Sequence, residues 1–345
     1  MSSELIVSSL DSGEARLRWD DFVRGCAEAT FFHLSAWQGV FEEVLRHRTW
    51  YLFAERDGQI LAVCPLVEIR SRLFGHSLAS LPFCAYGGIV GDAVAVSLLE
   101  ERAEELARRL GVAHLEFRNM RERHPDWPRQ DIYVTFRKPI LGDQDENLQA
   151  IPRKQRAMVR KGIKHRLRSK IDTDVSCFFS LYSDNVRRHG TPALSKRYFA
   201  ELHRRFGNDC DVLTVTDADG RALSSVLSFY FRDEVLPYYA GDDSAARGLA
   251  ANDFKYWELM RRACERGCKI FDYGRSKVGT GPWSFKKNWG FEPQPLAYEY
   301  RLFKRDSVPQ NNPLNPKYRP LIAMWQRLPL RVTNLIGPRI ARCLG

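Results

Sequence analysis

The sequence predicts an α/β (α+β) chain made of two tandem, similar domains with a cleft between them. Three observations carry that expectation. The order of strand and helix signals occurs twice, and the length of 345 residues exceeds what one small core usually serves. The second copy also closes on a polar, aromatic stretch that no core-packing requirement explains.

In the first half, Tyr51 to Glu55 alternates like a strand, Asp57-Gly58 supplies a turn, and Ile60 to Ile69 returns as a second strand. Strands joined by Asp-Gly read as a hairpin. An apolar stretch from Ser80 to Val90 follows, then a helix from about Ala93 to Leu110, ended by Gly111, and a strand from His114. A glycine just past the last helical turn is a usual stop. The second half repeats the order. Val212 to Thr216 and Leu223 to Phe231 flank Asp219-Gly220, Glu234 to Ala240 is a third strand, and a helix runs from about Asn252 to Arg266. Gly267 ends it, and Lys269 to Tyr273 closes the unit. Gly111 answers to Gly267 and Glu116 to Asp272. Hairpin, strand, helix, strand is the order of an acetyltransferase-type α/β fold, and two copies imply two domains. The expected division is 1–150, a basic connecting helix at 151–170, a second domain at 171–305 carrying the site, and a tail at 306–345.

Hydrophobic content of 44% with 28% charged residues describes an ordinary globular protein. The formal charge of +11 favours anionic partners. Eight cysteines are scattered without a C-x-x-C pair, which suits small core residues in a reducing compartment and predicts no metal site. The amino terminus lacks a basic start and a long apolar run, so a secretory signal is not expected. No stretch approaches the ~18 apolar residues of a spanning helix. The expected location is the cytoplasm.

The polar stretch lies between Ile270 and Glu292. Asp272, Tyr273, Gly274, Arg275, Ser276 and Lys277 follow an apolar strand start, and a glycine-rich loop leads to Trp283, Phe285 and Lys286. Loops at strand ends can aim polar groups into a shared cleft. Cations, an acid, a phenol and aromatic walls suit an anionic or acyl-bearing ligand. The alternative is a strand capped by solvated charge, with Trp283 and Phe285 in the core. Tyr238 and Tyr239, after Pro237, either wall an acceptor site or are half-buried core. His189 and Thr191, in R-R-H-G-T-P, are either substrate contacts or a helix-ending turn.

Nine of the 20 residues from Ile151 to Lys170 are Lys or Arg. Ile151, Met158, Val159, Ile163 and Leu167 fall on one helical face, which leaves Lys154, Arg156 and the other cations exposed. The segment is either an anion-binding surface or a solvated linker. It lacks interleaved aromatics and a reading helix, so sequence-specific DNA binding is not expected. From Pro309 onward, prolines 309, 313, 316, 320 and 329 cut the tail into short cationic amphipathic pieces. These lie on an anionic membrane face or wrap the protein's own surface.

The doubled unit, the R-K-Q-R segment at 153–156 and F-D-Y-G…W-S-F-K-K-N-W-G-F together resemble the Fem family of peptidoglycan aminoacyltransferases, with two acetyltransferase-like (GNAT) domains. The resemblance covers roughly residues 15 to 303. The blocks I-P-R-K-Q-R-A-M-V-R-K-G, H-G-T-P, L-P-Y-Y-A-G, A-N-D-F-K-Y-W-E-L-M-R-R and F-D-Y-G-R-S-K-V-G-T-G look like the subgroup associated with exosortase/PEP-CTERM systems. The family's Phe-Lys pair falls on Phe285 and Lys286, with Lys287 adjacent. The chain departs from the family in having no long coiled-coil insertion. Arg247-Gly248-Leu249-Ala250 also keeps one glycine where the pyrophosphate-binding turn of acetyltransferases uses two.

The resemblance implies an N-acyl or aminoacyl transferase that forms an amide by direct attack of an amine on an activated ester or thioester. The acceptor would be an anionic, nucleotide- or lipid-linked precursor of the cell envelope or an exopolysaccharide. Alignment of the reactants and a cation at the oxyanion, worth about 3 kcal/mol, would carry the rate. Lys286 is the candidate cation. Asp272 is the base, or an acceptor paired with Arg275 that orients the ligand, and Tyr239 or Tyr273 relays a proton. Lys154, Arg156, Arg275, Lys277 and Ser276 are the expected ligand contacts beside Tyr238, Trp283 and Phe285. The donor is an aminoacyl-tRNA, or alternatively acyl-CoA or an acyl carrier protein that acylates an amino sugar. No bound metal or prosthetic group is expected. A non-catalytic module that binds an anionic glycan precursor at the inner membrane face is the alternative from another class.

Overall fold

A computed structural model describes residues 4–71, 74–309 and 319–344. By contacts the chain divides into Met1–Tyr133 with Pro295–Gln310 and Cys343–Gly345, and Val134–Gln294 with Asn311–Arg342.

The first unit is a mixed sheet. Its order is Ile6–Ser9, Arg48–Arg56, Gln59–Ser71, Gly75–Ser80, His114–Asn119, Ala297–Leu302 and Arg129–Gln130, with Val90–Gly91 paired to Gln59–Ser71. Asp57 and Gly58 both take positive φ, 51° and 76°, as a tight hairpin turn requires. The helix Ala93–Leu110 begins at Asp92, whose carboxylate accepts from the backbone N–H of Val94 and Ala95. It ends at Gly111, φ 66°, where a glycine carries no Cβ penalty. Leu99, Ala103 and Leu106 pack it onto Cys64, Leu66, Leu78 and Phe117. Beyond Ser80 the chain runs as loop, with Leu81 and Phe83 at positive φ.

The second unit's sheet runs Arg168–Ile171, Cys210–Thr216, Ala222–Phe231, Glu234–Asp242, Ile270–Asp272 and Arg137–Pro139. The helix Ala251–Glu265 lays Phe254, Trp257, Leu259 and Met260 on this sheet, and Gly267 (φ 74°) follows its end. The helix Ser176–Arg188 packs against the strand Glu234–Asp242. A Cβ at Gly241 would stand 2.3 Å from the backbone nitrogen of Tyr182, so only glycine admits this approach.

Three expectations change. The strand Ala297–Leu302, expected in the second domain, pairs with His114–Asn119 of the first unit, because its alternation completes that sheet. The basic segment is helical over Arg153–Lys164 and then becomes the strand Arg168–Ile171. Its buried face is Gln155, Val159 and Gly162 while Ile163 is exposed: a Cβ at Gly162 would come within 2.8 Å of Phe254, so the contact forms at the glycine. The tail forms helices Arg319–Arg327 and Leu330–Ala341, the second containing Pro338. Both pack on the helix Ser176–Arg188, so one face of the tail does wrap the protein. The breaks expected at Pro313 and Pro316 lie outside the described residues.

Candidate active site

The strand Ile270–Asp272 pairs in parallel with Glu234–Asp242 over two positions, Glu234 to Ile270 and Val235 to Phe271. Beyond them the strand Glu234–Asp242 carries a bulge: Tyr239 faces Leu227 and Pro237 faces Ser228, so the register skips Tyr238. A bulge bends a strand and re-aims its side chains. On its other side Ile270–Asp272 pairs antiparallel with Arg137–Pro139, which puts Asp272 opposite Arg137.

Asp272 is 1% exposed. Its Oδ1 accepts from the backbone N–H of Gly274 at 2.7 Å and from the Thr135 hydroxyl at 3.3 Å. Its Oδ2 lies 3.3 Å from Nε of Arg137. Arg137 also binds Glu234. Burial pushes the Glu234 carboxyl up, Arg137 pulls it back, and the Asp272 charge adds to the rise. One guanidinium thus serves two partly or wholly buried carboxylates. The sequence suggested Asp272 as a base, or as an acceptor paired with Arg275, and did not single out Arg137. The alternation of Val134 and Phe136 with Thr135 and Arg137 was the available signal.

Lys286 sits on the helix Gly281–Asn288, which starts with Pro282 in its first turn. It is buried, and Nζ donates to the carbonyl oxygens of Tyr273 at 2.7 Å, Gly274 at 3.0 Å and Arg275 at 3.3 Å. Burial pushes its pKa down to about 7, Asp272 opposes that, and Arg275 adds to it. An ammonium has three N–H bonds, and the turn takes all three. The side chain expected to point a cation at the donor instead pins the turn 273–275 to the helix. Lys287 is exposed, with Nζ 4.7 Å from the centre of the Trp283 ring.

Several expected residues gather at this turn. Arg275 and Lys277 are half-buried, and burial followed by the Arg275 charge lowers Lys277 to about 8. Ser276 Oγ and Trp283 Nε1 are buried with no hydrogen-bond partner among the described residues. Tyr238 borders the turn: a Cβ at Gly274 (φ 64°) would lie 3.8 Å from its Cε2. Tyr273 turns into the core, its ring 4.7 Å from Phe291 and 5.0 Å from Tyr256, and burial raises its phenol well above the usual value. A proton relay through it is therefore unfavourable. Phe285 packs beside it on Tyr256 and Trp289.

The other candidates stand on different elements. Tyr239 meets the Tyr198 hydroxyl at 2.9 Å and packs on Tyr182 and Phe199. Lys154 is exposed on its helix, and Arg156 donates to the Gln149 carbonyl at 3.2 Å. His189 and Thr191 are exposed around the turn that ends the helix Ser176–Arg188. Gly190 between them (φ 78°) rests against Ile322 of the tail.

The loop after Glu234–Asp242 offers little to a nucleotide pyrophosphate. The N–H groups of Ala245, Ala246, Gly248 and Ala250 bond to Asp243 Oδ1, Asp243 O, Ala245 O and Arg247 O. Buried Asp253 stands in the first turn of the following helix, held by Trp289 Nε1 at 3.0 Å. A phosphate there would meet spent donors and a carboxylate, the reverse of an anion-binding helix start. Among the described residues no group of three His, Cys, Asp or Glu side chains is placed to hold a metal ion.

The class of protein follows from this fold. Residues 149–287 match the family model for an acetyltransferase (GNAT) domain. With the doubled architecture, the chain has a Fem-like, tandem GNAT fold and is an acyltransferase by class. Among solved structures it is similar to FemX, with a TM-score of 0.65 and 14% identity over 91% of this chain and 100% of that one. It is similar to L-PGS from Bacillus licheniformis, with a TM-score of 0.57 and 13% identity over 94% and 97% of the two chains. A tandem GNAT protein from the clavulanic acid biosynthesis pathway gives 0.56 and 12% over 88% and 100%. The chain has no match among curated proteins.

Proposed function

We propose that the chain forms an amide by direct attack of an amine on an activated acyl or aminoacyl ester, with a cell-envelope or exopolysaccharide precursor as acceptor. The amine nitrogen bonds to the acyl carbon, the C–O bond of an ester or the C–S bond of a thioester breaks, and the nitrogen's proton passes to the leaving oxygen or sulfur. The observation that carries this reading is the turn 272–277, where two parallel strands stop pairing. Asp272 holds it through the Gly274 N–H and Lys286 through three carbonyls, and Arg275 and Lys277 on it are half-buried cations. Ser276 Oγ and Trp283 Nε1, buried without partners, are free to bind a ligand, since buried polar groups normally find one.

Lys286 acts in this reading as a positioning residue, and Asp272 meets the charge of Arg137 behind the turn. The spent N–H groups at 245–250 favour an ester donor on tRNA, or a carrier protein, over coenzyme A. Exposed Arg153, Lys154, Arg160, Lys161 and Lys164 suit either anionic macromolecule. The resemblance to the exosortase/PEP-CTERM-associated subgroup supports an envelope precursor on a lipid or nucleotide anchor, and hence work at the inner membrane face. No helix among the described residues is long and apolar enough to cross a membrane.

Calorimetry against charged tRNAs, acyl-CoA species and acylated carrier protein tests this, with Lys286→Ala and Asp272→Asn as controls. Saturable binding of one donor, weakened in both variants, is the expected result. A folded protein that binds a lipid-linked sugar but none of the donors would replace the transferase with a binding module.

A further inference from the structure

The outward face of the helix Arg153–Lys164 has no partner within the molecule. Arg153, Lys154, Arg160, Lys161 and Lys164 are exposed and make no hydrogen bond or ion pair among the described residues. No acid occurs between Glu146 and Asp172, so the helix cannot neutralise itself. Its cations recur at a seven-residue spacing, Arg153 with Arg160 and Lys154 with Lys161, about 10.5 Å along a helix. Ile163, beside Lys164 and one turn from Arg160, is 50% exposed. The buried side, at Gln155, Val159 and Gly162, faces Phe254. The helix also starts next to the candidate site: a Cβ at Gly290 would stand 3.2 Å from Cγ of its N-cap, Pro152. Gly290 follows directly on the helix end at Trp289, three residues past Lys286.

We infer that this face docks an acidic helix of an acyl carrier protein, which presents the acyl group as a thioester on a flexible arm. The inference rests on the transferase reading above and names its donor. Carboxylates at the same seven-residue spacing on a partner helix would meet the two rows of cations in step. Ile163 supplies the apolar contact that protein interfaces set within a polar rim. A phosphate backbone would also attract the cations, but it gains nothing from Ile163. The segment between Glu146 and Asp172 holds no Phe, Tyr or Trp on which a base could stack. One exposed isoleucine on this helix is too little apolar surface to hold it in hydrocarbon.

The full chain is titrated with the source organism's acyl carrier protein in its apo form, followed by fluorescence anisotropy, and with a short RNA duplex in parallel. Saturable binding of the carrier is expected. Arg160→Glu/Lys164→Glu should weaken it about ten-fold, at roughly three-fold per charge pair, and Ile163→Ser by about five-fold. All three positions are exposed, and unchanged circular dichroism would establish that the variants fold. Ile163→Ser separates the occupants, because a phosphate backbone does not use that side chain. A duplex that binds more tightly than the carrier, or a carrier that binds both variants like the parent, would overturn the inference. Apo carrier has no group to give, so docking is read apart from transfer. A carrier that docks but whose acylated form yields no amide would sink the transferase reading and leave the docking face standing. Amide formation from a charged tRNA, without docking of the carrier, would do the reverse.

Discussion

Replacing Lys286 with Met keeps the length of the side chain and removes its titration. In the folded protein burial holds this lysine at about 7, against 10.5 for the exposed group. Between those values the unfolded chain binds a proton that the native state does not, so stability rises with pH. Below the lower value both states are protonated and the cost of the buried ammonium is present in full. The linkage relation gives a gain of about 2 kcal/mol from about pH 7 to about pH 9. Urea unfolding of parent and Lys286→Met, followed by circular dichroism across that range, isolates the effect, because every other titrating group cancels in the difference. The parent should gain stability relative to the variant as pH rises. Parallel profiles would refute the reasoning and show that the three carbonyls keep the ammonium charged through the range.

Three further outcomes follow from specific contacts. Arg137→Met leaves Asp272 buried without its ion-pair partner and should cost about 3 kcal/mol; adding Asp272→Asn should restore part of it, which a double-mutant cycle in urea would read. Gly241→Ala forces a Cβ against the Tyr182 backbone nitrogen and should lower stability by about 1–3 kcal/mol, visible as a shifted urea midpoint. His124, hydrogen-bonded to Glu100 and Glu299, has its pKa raised to about 9. Its stabilisation is complete below the ordinary value of 6.5 and is lost as pH rises through 9; NMR titration of the imidazole should find it still protonated at neutral pH.

The hairpins, both long helices and their glycine stops were legible because each is written locally. Alternation, Asp-Gly and a terminal glycine need no distant partner. The turn 272–277 was legible as a polar break in an apolar strand. What escaped depends on chain segments far apart in sequence. Arg137 stands 135 positions before Asp272, and nothing around it signals that two carboxylates will close on it. Phe254 dictates the orientation of the basic helix through Gly162, and a periodicity rule that counts apolar residues places Ile163 inside instead. The contacts of Lys286 escaped for a similar reason, since its three acceptors are backbone carbonyls and have no side-chain signature.

The strand Ala297–Leu302 gives the first unit a discontinuous chain. Its Glu299, with no exposure, accepts from Asn119 and His124 of the same unit. A fragment ending at residue 133 or 150 therefore lacks a strand from the sheet and strands the polar groups that Glu299 satisfies. During synthesis the first unit cannot close until the ribosome has passed residue 302, by which point nearly all of Val134–Gln294 has already emerged. Val134–Gln294 is in this sense an insertion, and the chain returns to the same unit over Asn311–Arg342. A dissection that respects both would keep the helices Arg319–Arg327 and Leu330–Ala341 with 134–294, on whose helix Ser176–Arg188 they pack.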